Sequence, residues 1–128
     1  MRLWHEALIP LLPRQQLLGQ HREVAALRGK GWGKKHATVD YVFTHPYYKL
    51  FQFHLLVLAE MEQRGYTPDP LWSDPLWSDP LYRGKNLPRL DRIQPLPITQ
   101  PLYPEHNNAY LEECLLNLAQ KGIILPKP

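Results

Sequence analysis

The distribution of proline separates the segments of this chain that can form helices from one long segment that cannot. Nine of the fourteen prolines lie between Tyr66 and Pro104. Proline removes a backbone donor and disfavours helical geometry in the residue before it, so this segment is expected to be an irregular loop. Helices are therefore expected on either side of it.

Outside the proline-rich segment, three stretches have apolar residues at helical spacing, and no alternating pattern predicts a strand. The first helix is predicted over 13–28. The second is predicted over 44–64, with Thr44 as its N-cap and Gly65 as its stop. The third begins between Pro104 and Asn108 and ends at Gly122. The sequence predicts an all-α fold, a compact three-helix domain over 1–128 with a lead-in over 1–12 and a long proline-rich irregular loop over 66–104.

Positive charge is concentrated in the first third of the chain. Up to Lys49, eight Lys or Arg residues stand against three acidic residues, whereas from Leu50 onward seven stand against nine. An uneven basic surface of this kind is typical of proteins that bind nucleic acid, and equally of an ordinary solvated surface.

The polar side of the first helix carries the residues that favour chemistry. A glycine inside a helix costs roughly 1 kcal/mol relative to alanine, so Gly19 indicates close approach of a large partner or of a second helix. Beside it, Arg22 is a candidate for holding an anion and Glu23 for transferring a proton. Gln15, on the same predicted face, is a candidate contact with nucleic acid.

Two basic segments are candidate contacts with a nucleic-acid backbone: the glycine-rich loop after the first helix, and the proline-rich loop. Their candidate residues are Lys30, Lys34, Lys35, Arg83, Lys85 and Arg89. Aromatic residues among them can stack on bases or pack in the core. Trp32 is interpreted as a core anchor, and both alternatives stay open for Trp72, Trp77 and Tyr82.

Several function classes lack the residues that they need. The six histidines are scattered and paired cysteines are absent, so neither a metal site nor a cofactor is expected. His54, in an apolar helix, is interpreted as a hydrogen-bonded core histidine, and Cys114 as a buried small residue. Neither a secretory signal nor a membrane-spanning segment is indicated, and a cytoplasmic protein is expected.

Two stretches resemble the pyrimidine-dimer DNA glycosylases: QQLLGQHRE at 15–23 and LLVLAEMEQRGY at 55–66. The resemblance implies a DNA-repair glycosylase with associated AP lyase activity that acts on double-stranded damaged DNA. In that family the α-amine at the chain start attacks the sugar of a damaged nucleotide and forms an imine, while a glutamate of the first helix assists proton transfer. Carried over, Glu23 is the acid and base, and Arg22 grips distorted DNA.

The chain also departs from the family pattern. Family members expose a small residue after methionine removal, whereas Arg2 follows Met1 here, so the resemblance assigns the nucleophilic amine to Met1 and DNA binding to Arg2. Ala26 stands at a second basic position of the family, and the aromatic C-terminal segment is missing. Two alternatives from other classes remain: a non-catalytic basic helical nucleic-acid-binding domain, and a helical module that binds an acidic protein. A monomer is expected.

Overall fold

The structure is a computed structural model that describes residues 1–29, 31–75 and 94–128. Within these ranges the chain forms helices and no strand, which confirms the predicted all-α fold. The α-helices are α1 (Arg14–Arg28), α2 (Tyr47–Gln63) and α3 (Asn108–Gln120), and 3₁₀ helices cover Glu6–Leu11, Asp40–Thr44 and Pro70–Ser73. The described parts of the segment between α2 and α3 are irregular apart from Pro70–Ser73, as the prolines predict.

The beginning of α2 differs from the sequence prediction. Thr44 is not its N-cap, because the helix begins after Pro46 and the Thr44 hydroxyl donates to the carbonyl oxygen of Tyr41 at 2.7 Å. The physical reason is His45, which precedes a proline and is extended, with φ −114° and ψ 160°. A helix that began at Thr44 would need helical geometry at this residue.

The ends of α2 and α3 use glycine in the same way. Gly65 and Gly122 have φ angles of +91° and +82°. After α2, the amide of Tyr66 bonds to the carbonyl oxygen of Met61 at 3.0 Å, and after α3 the amide of Ile123 bonds to that of Leu118 at 2.9 Å. This is the Schellman arrangement, and it confirms that the sequence stop signals lie at the helix ends to within two residues.

The core lies where α1 packs against α2, with the N-terminal segment across them. The lead-in is anchored to the core, since Leu3, Leu8 and Leu12 are buried. On α1, Leu17, Val24 and Ala25 are buried, whereas Leu18 and His21 are only half-buried. Two polar α1 side chains that were not expected in the core are also buried: Gln20 and Arg28.

The second stretch of family resemblance, at 55–66, holds the N-terminal segment to the end of α2. Arg64 donates hydrogen bonds to the carbonyl oxygens of Leu12 at 2.8 Å and of Pro10 at 3.1 Å. The Tyr66 hydroxyl accepts a bond from Arg14 Nε at 2.9 Å. These contacts position the start of α1 relative to α2, and therefore the residues that α1 carries.

Candidate active site

The N-terminal segment, residues 1–4, is fixed to α1 by one buried side-chain amide, that of Gln20. Gln20 Oε1 accepts a hydrogen bond from the backbone amide of Trp4 at 2.7 Å, and its Nε2 donates to the carbonyl oxygen of Arg2 at 3.0 Å. The same Nε2 lies 3.4 Å from Oε2 of Glu23, one helical turn further along α1. The Gln20 side chain therefore connects the start of the chain to the Glu23 carboxylate.

Two hydroxyl groups from other parts of the chain also hold the N-terminal segment in place. Thr38 donates a hydrogen bond to the carbonyl oxygen of Met1, and Tyr110 of α3 donates one to the carbonyl oxygen of Leu3. Leu3 itself is fully buried, whereas Met1 is 42% exposed. The backbone is held tightly while the terminal residue still reaches solvent.

A cleft of about 210 Å³ opens beside the chain terminus. Its lining comes from the N-terminal segment, α1, the loop before the second 3₁₀ helix, and the end of α3 with the residue that follows it. The lining residues are Met1, Arg2, Trp4, Glu23, Thr38, Asn117 and Lys121. Two candidates for catalysis, Met1 and Glu23, therefore line one cleft, together with Arg2. A primary amine and a carboxylate at one solvent-open cleft can supply a nucleophile and a proton acceptor.

Two of the side chains that line the cleft are cationic. The Arg2 guanidinium lies 3.6 Å from Glu113 of α3 and 6.0 Å from the centre of the Trp4 ring. The Lys121 ammonium lies 5.3 Å from the same ring. Positive charge next to an open cleft favours an anionic ligand such as a phosphodiester.

Arg22 lies next to Glu23 in the chain, but it is exposed and is not among the cleft-lining residues. A Cβ built on Gly19 would meet Arg22 Nη2 at 3.8 Å and, in the described part of the chain, nothing nearer. No helix in the described part of the chain packs tightly against Gly19. Gln15 is exposed near the start of the same helix.

The remaining candidate DNA contacts are the lysines and arginines of the two basic segments. Lys34 and Lys35 are exposed after α1. Lys30, Arg83, Lys85 and Arg89 lie outside the described residues, as do Trp77 and Tyr82. No contact with DNA is tested by this arrangement, so the whole set stays a prediction.

Two of the tryptophans, Trp32 and Trp72, pack against the helices. Trp32 contacts the rings of Phe43 and Tyr47 edge-on, with centroids 5.1 and 5.2 Å apart, in agreement with its interpretation as a core anchor. Trp72 is buried against His54, with ring centroids 5.2 Å apart. His54 is fully buried and hydrogen-bonded, as predicted, and burial raises the pKa of the Cys114 thiol.

Besides Trp4, which lies close to Met1 in the chain, four residues of the site were not found by sequence reasoning: Gln20, Thr38, Asn117 and Lys121. For Gln20 a signal existed, because residues three apart on a helix share a face and Gln20 precedes Glu23 by three. The other three reach the cleft only through long-range folding, and no local pattern marks them.

Two features are absent from the residues that the structure describes. No group of three or more His, Cys, Asp or Glu side chains is arranged to hold a metal ion there. No helix in these ranges is long and apolar enough to cross a membrane.

Comparison with known proteins gives a family for the chain. No significant match was found among curated proteins or among solved structures. A family model described as pyrimidine dimer DNA glycosylase matches residues 1–74, more than half of the chain, and this range includes Met1, Arg2, Glu23 and Thr38. The chain belongs to the pyrimidine dimer DNA glycosylase family.

Proposed function

We propose that this DNA-repair glycosylase acts through the α-amine of Met1, which forms an imine with the sugar of a damaged pyrimidine nucleotide and then opens the abasic site. Glu23 serves as the acid and base. The observation that carries the proposal is the cleft itself, since Met1 and Glu23, far apart in sequence, line the same opening to solvent.

The chemistry suits these two groups. The amine nitrogen bonds to C1′ while the bond from C1′ to the base breaks, and the base leaves with that electron pair and a proton. Loss of the amine proton and opening of the sugar ring give the imine. Removal of a C2′ proton then expels the 3′ phosphate, and water hydrolyses the imine to free the enzyme. Glu23 transfers the protons in these steps.

An α-amine is well suited to the nucleophilic role. Its ordinary pKa is ~7.7 to 8.0, so roughly a tenth of such amines are neutral at pH 7, whereas an ordinary lysine is almost entirely charged. The backbone contacts of residues 1–4 add orientation, because a fixed nucleophile converts a bimolecular step into an effectively unimolecular one.

The DNA partner is supported by the charge around the cleft. Arg2 and Lys121 border it, and Arg22 is exposed on the same helix as Glu23. We assign strand gripping to Arg2 and Arg22, and backbone contacts further along the duplex to Lys34 and Lys35. An enzyme of this kind works where the genome is, so a cytoplasmic location stays our expectation.

Borohydride trapping tests the proposal. The full chain, with retention of Met1 verified by mass spectrometry, is incubated with duplex DNA that contains an abasic site or has been irradiated with ultraviolet light. Borohydride reduces an imine to a stable amine, so we expect a covalent adduct whose DNA is attached to the N-terminal peptide. Absence of an adduct on both substrates would overturn the proposal and favour a non-catalytic DNA-binding domain.

Glu23→Gln is the variant that tests the carboxylate. It keeps the size of the side chain and removes the proton acceptor, so we expect DNA affinity within about threefold of the original protein and a rate of processing lower by about 10²- to 10⁴-fold. Glu62→Gln, an exposed change of the same charge on α2, is the matched control. Equal rates for Glu23→Gln and Glu62→Gln would contradict the role given to Glu23.

A further inference from the structure

Within the described chain, Gln20 alone bonds both to the backbone of the N-terminal segment and to Glu23. Its side chain is 1% exposed. The amide oxygen accepts from Trp4, and the amide nitrogen donates to the carbonyl oxygen of Arg2 and faces the Glu23 carboxylate. All three partners of this amide thus belong to residues that line the cleft.

The chemistry of an amide is needed for this set of partners. A backbone N–H requires an acceptor, whereas a backbone carbonyl and a carboxylate both require donors. Glutamine offers an acceptor and two donors in one planar group, and a glutamate in its ionised form offers acceptors alone. The three-residue spacing on α1 then places the amide against the side chain of Glu23.

The consequence concerns the position of the nucleophile. The bonds to Arg2 and Trp4 hold the backbone at two points, with the fully buried Leu3 between them. Met1 directly precedes the first of these points, so the position of its amine depends on where the Arg2 backbone is held. The Gln20–Glu23 contact fixes that position relative to the Glu23 carboxylate.

From these contacts we infer that Gln20 is a positioning residue. It holds the Met1 amine at a fixed position relative to the Glu23 carboxylate, because it bonds both to the backbone of the N-terminal segment and to the Glu23 side chain. The inference rests on the proposed function. It assigns Gln20 no contact with DNA, since the side chain is buried. Its effect should therefore fall on the chemical step and not on binding.

Two substitutions separate this role from simple support of the fold. Gln20→Met keeps the length of the side chain and removes all three polar contacts, whereas Gln20→Glu keeps the acceptor for Trp4 and removes the donors. The measurements are the single-turnover rate of borohydride-trapped adduct on an abasic duplex, and the Kd for the same duplex. We expect Kd within about threefold for both variants and a rate lower by about 10- to 100-fold, the cost of a misplaced reacting group.

The pH profile of Gln20→Glu gives a second readout that loss of stability alone would not produce. The introduced carboxyl is buried beside Glu23, and burial and a neighbouring carboxylate both raise the pKa of such a group. When protonated it can donate to the Arg2 carbonyl as the amide does. The rate of Gln20→Glu, relative to the original protein at each pH, should therefore rise as the pH falls, and that of Gln20→Met should not.

Gln63→Glu, at the exposed end of α2, is the control for the change of charge and should match the original protein. If Gln20→Met does not fold, Gln20→Glu decides the question. The inference would be overturned if Gln20→Glu formed the adduct at the rate of the original protein, or if its loss of DNA affinity equalled its loss of rate. Either result would leave the proposed function in place. Failure of the original protein to form an adduct would remove the proposed function itself, and with it the role of Gln20.

Discussion

Arg28 Nη1 and His54 Nδ1 lie 2.9 Å apart in the interior of the fold, where α1 packs against α2. Arg28 is fully buried and also donates to the Tyr47 hydroxyl at 3.1 Å and to the carbonyl oxygen of Trp72 at 2.9 Å. The guanidinium is further stacked near the rings of Phe51 and Trp72, with 5.3 and 5.2 Å to the ring centres. One side chain of α1 thus joins α2 to the segment that follows it.

Replacing Arg28 by methionine should therefore destabilise the fold strongly. The change removes the donors from several buried acceptors, and breaking a buried charged network of this kind costs about 3–5 kcal/mol. Urea unfolding measures the effect. Arg14→Met is the control, because Arg14 is exposed and bonds to Tyr66 alone among the contacts given above, so its loss should cost about 1 kcal/mol or less. Similar losses for both variants would contradict the structural role of Arg28.

Stability should also fall in mild acid. Burial lowers the pKa of His5, His21 and His54, and lowers that of His106 to about 3. The unfolded chain, with ordinary histidine pKa values near ~6.5, therefore binds protons before the folded chain does, so stability is greatest above about pH 6.5 and declines as the pH falls toward 3.

The size of this decline follows from the same relation. At pH 5 each histidine that stays neutral in the folded state should cost about 2 kcal/mol relative to pH 7.5. Urea unfolding at both pH values measures it, and His36→Asn, at an exposed position, should leave the difference unchanged. Equal free energies of unfolding at the two pH values would show that burial does not keep these rings neutral.

The parts of the fold that could be predicted from the sequence are those set by local chemistry. The prolines predicted the irregular backbone in the described parts of the segment between α2 and α3, Gly65 and Gly122 marked two helix ends, and the apolar setting of His54 predicted its burial. The start of α2 was misplaced because the capping preference of Thr44 was given more weight than the restriction that Pro46 imposes on His45. The assignment of the whole chain to one domain stays a prediction.

The parts that could not be predicted depend on partners distant in sequence. Arg28 and Gln20 look like solvent-facing residues of a basic helix, and only their partners on other segments make their burial possible. Lys121 reaches the cleft from the position directly after α3, over a hundred residues from Met1. Pairing of buried polar groups is decided by the tertiary structure, which a single sequence does not specify residue by residue.

DNA affinity should depend steeply on salt, and the loop lysines should contribute to that dependence. Each phosphate contact that is lost lowers the slope of log Kd against log salt concentration by about one. We expect this reduction for Lys34→Ala and for Lys35→Ala, with a similar loss on damaged and undamaged duplexes. Lys127→Ala is the control, because that lysine is paired with Glu112. A slope unchanged in both loop variants would remove the loop from the DNA interface.

Moving the terminal amine should abolish the chemistry without weakening DNA binding. One glycine placed before Met1 shifts the amine by up to ~3.8 Å, while Thr38 still holds the Met1 carbonyl. We expect the rate of borohydride-trapped adduct to fall at least about 100-fold, with the Kd for DNA within about threefold. A glycine added after Pro128 is the control. If the extended protein formed the adduct at the original rate, the nucleophile would be another amine of the same cleft, and Lys121 is the lysine that lines it in the described structure.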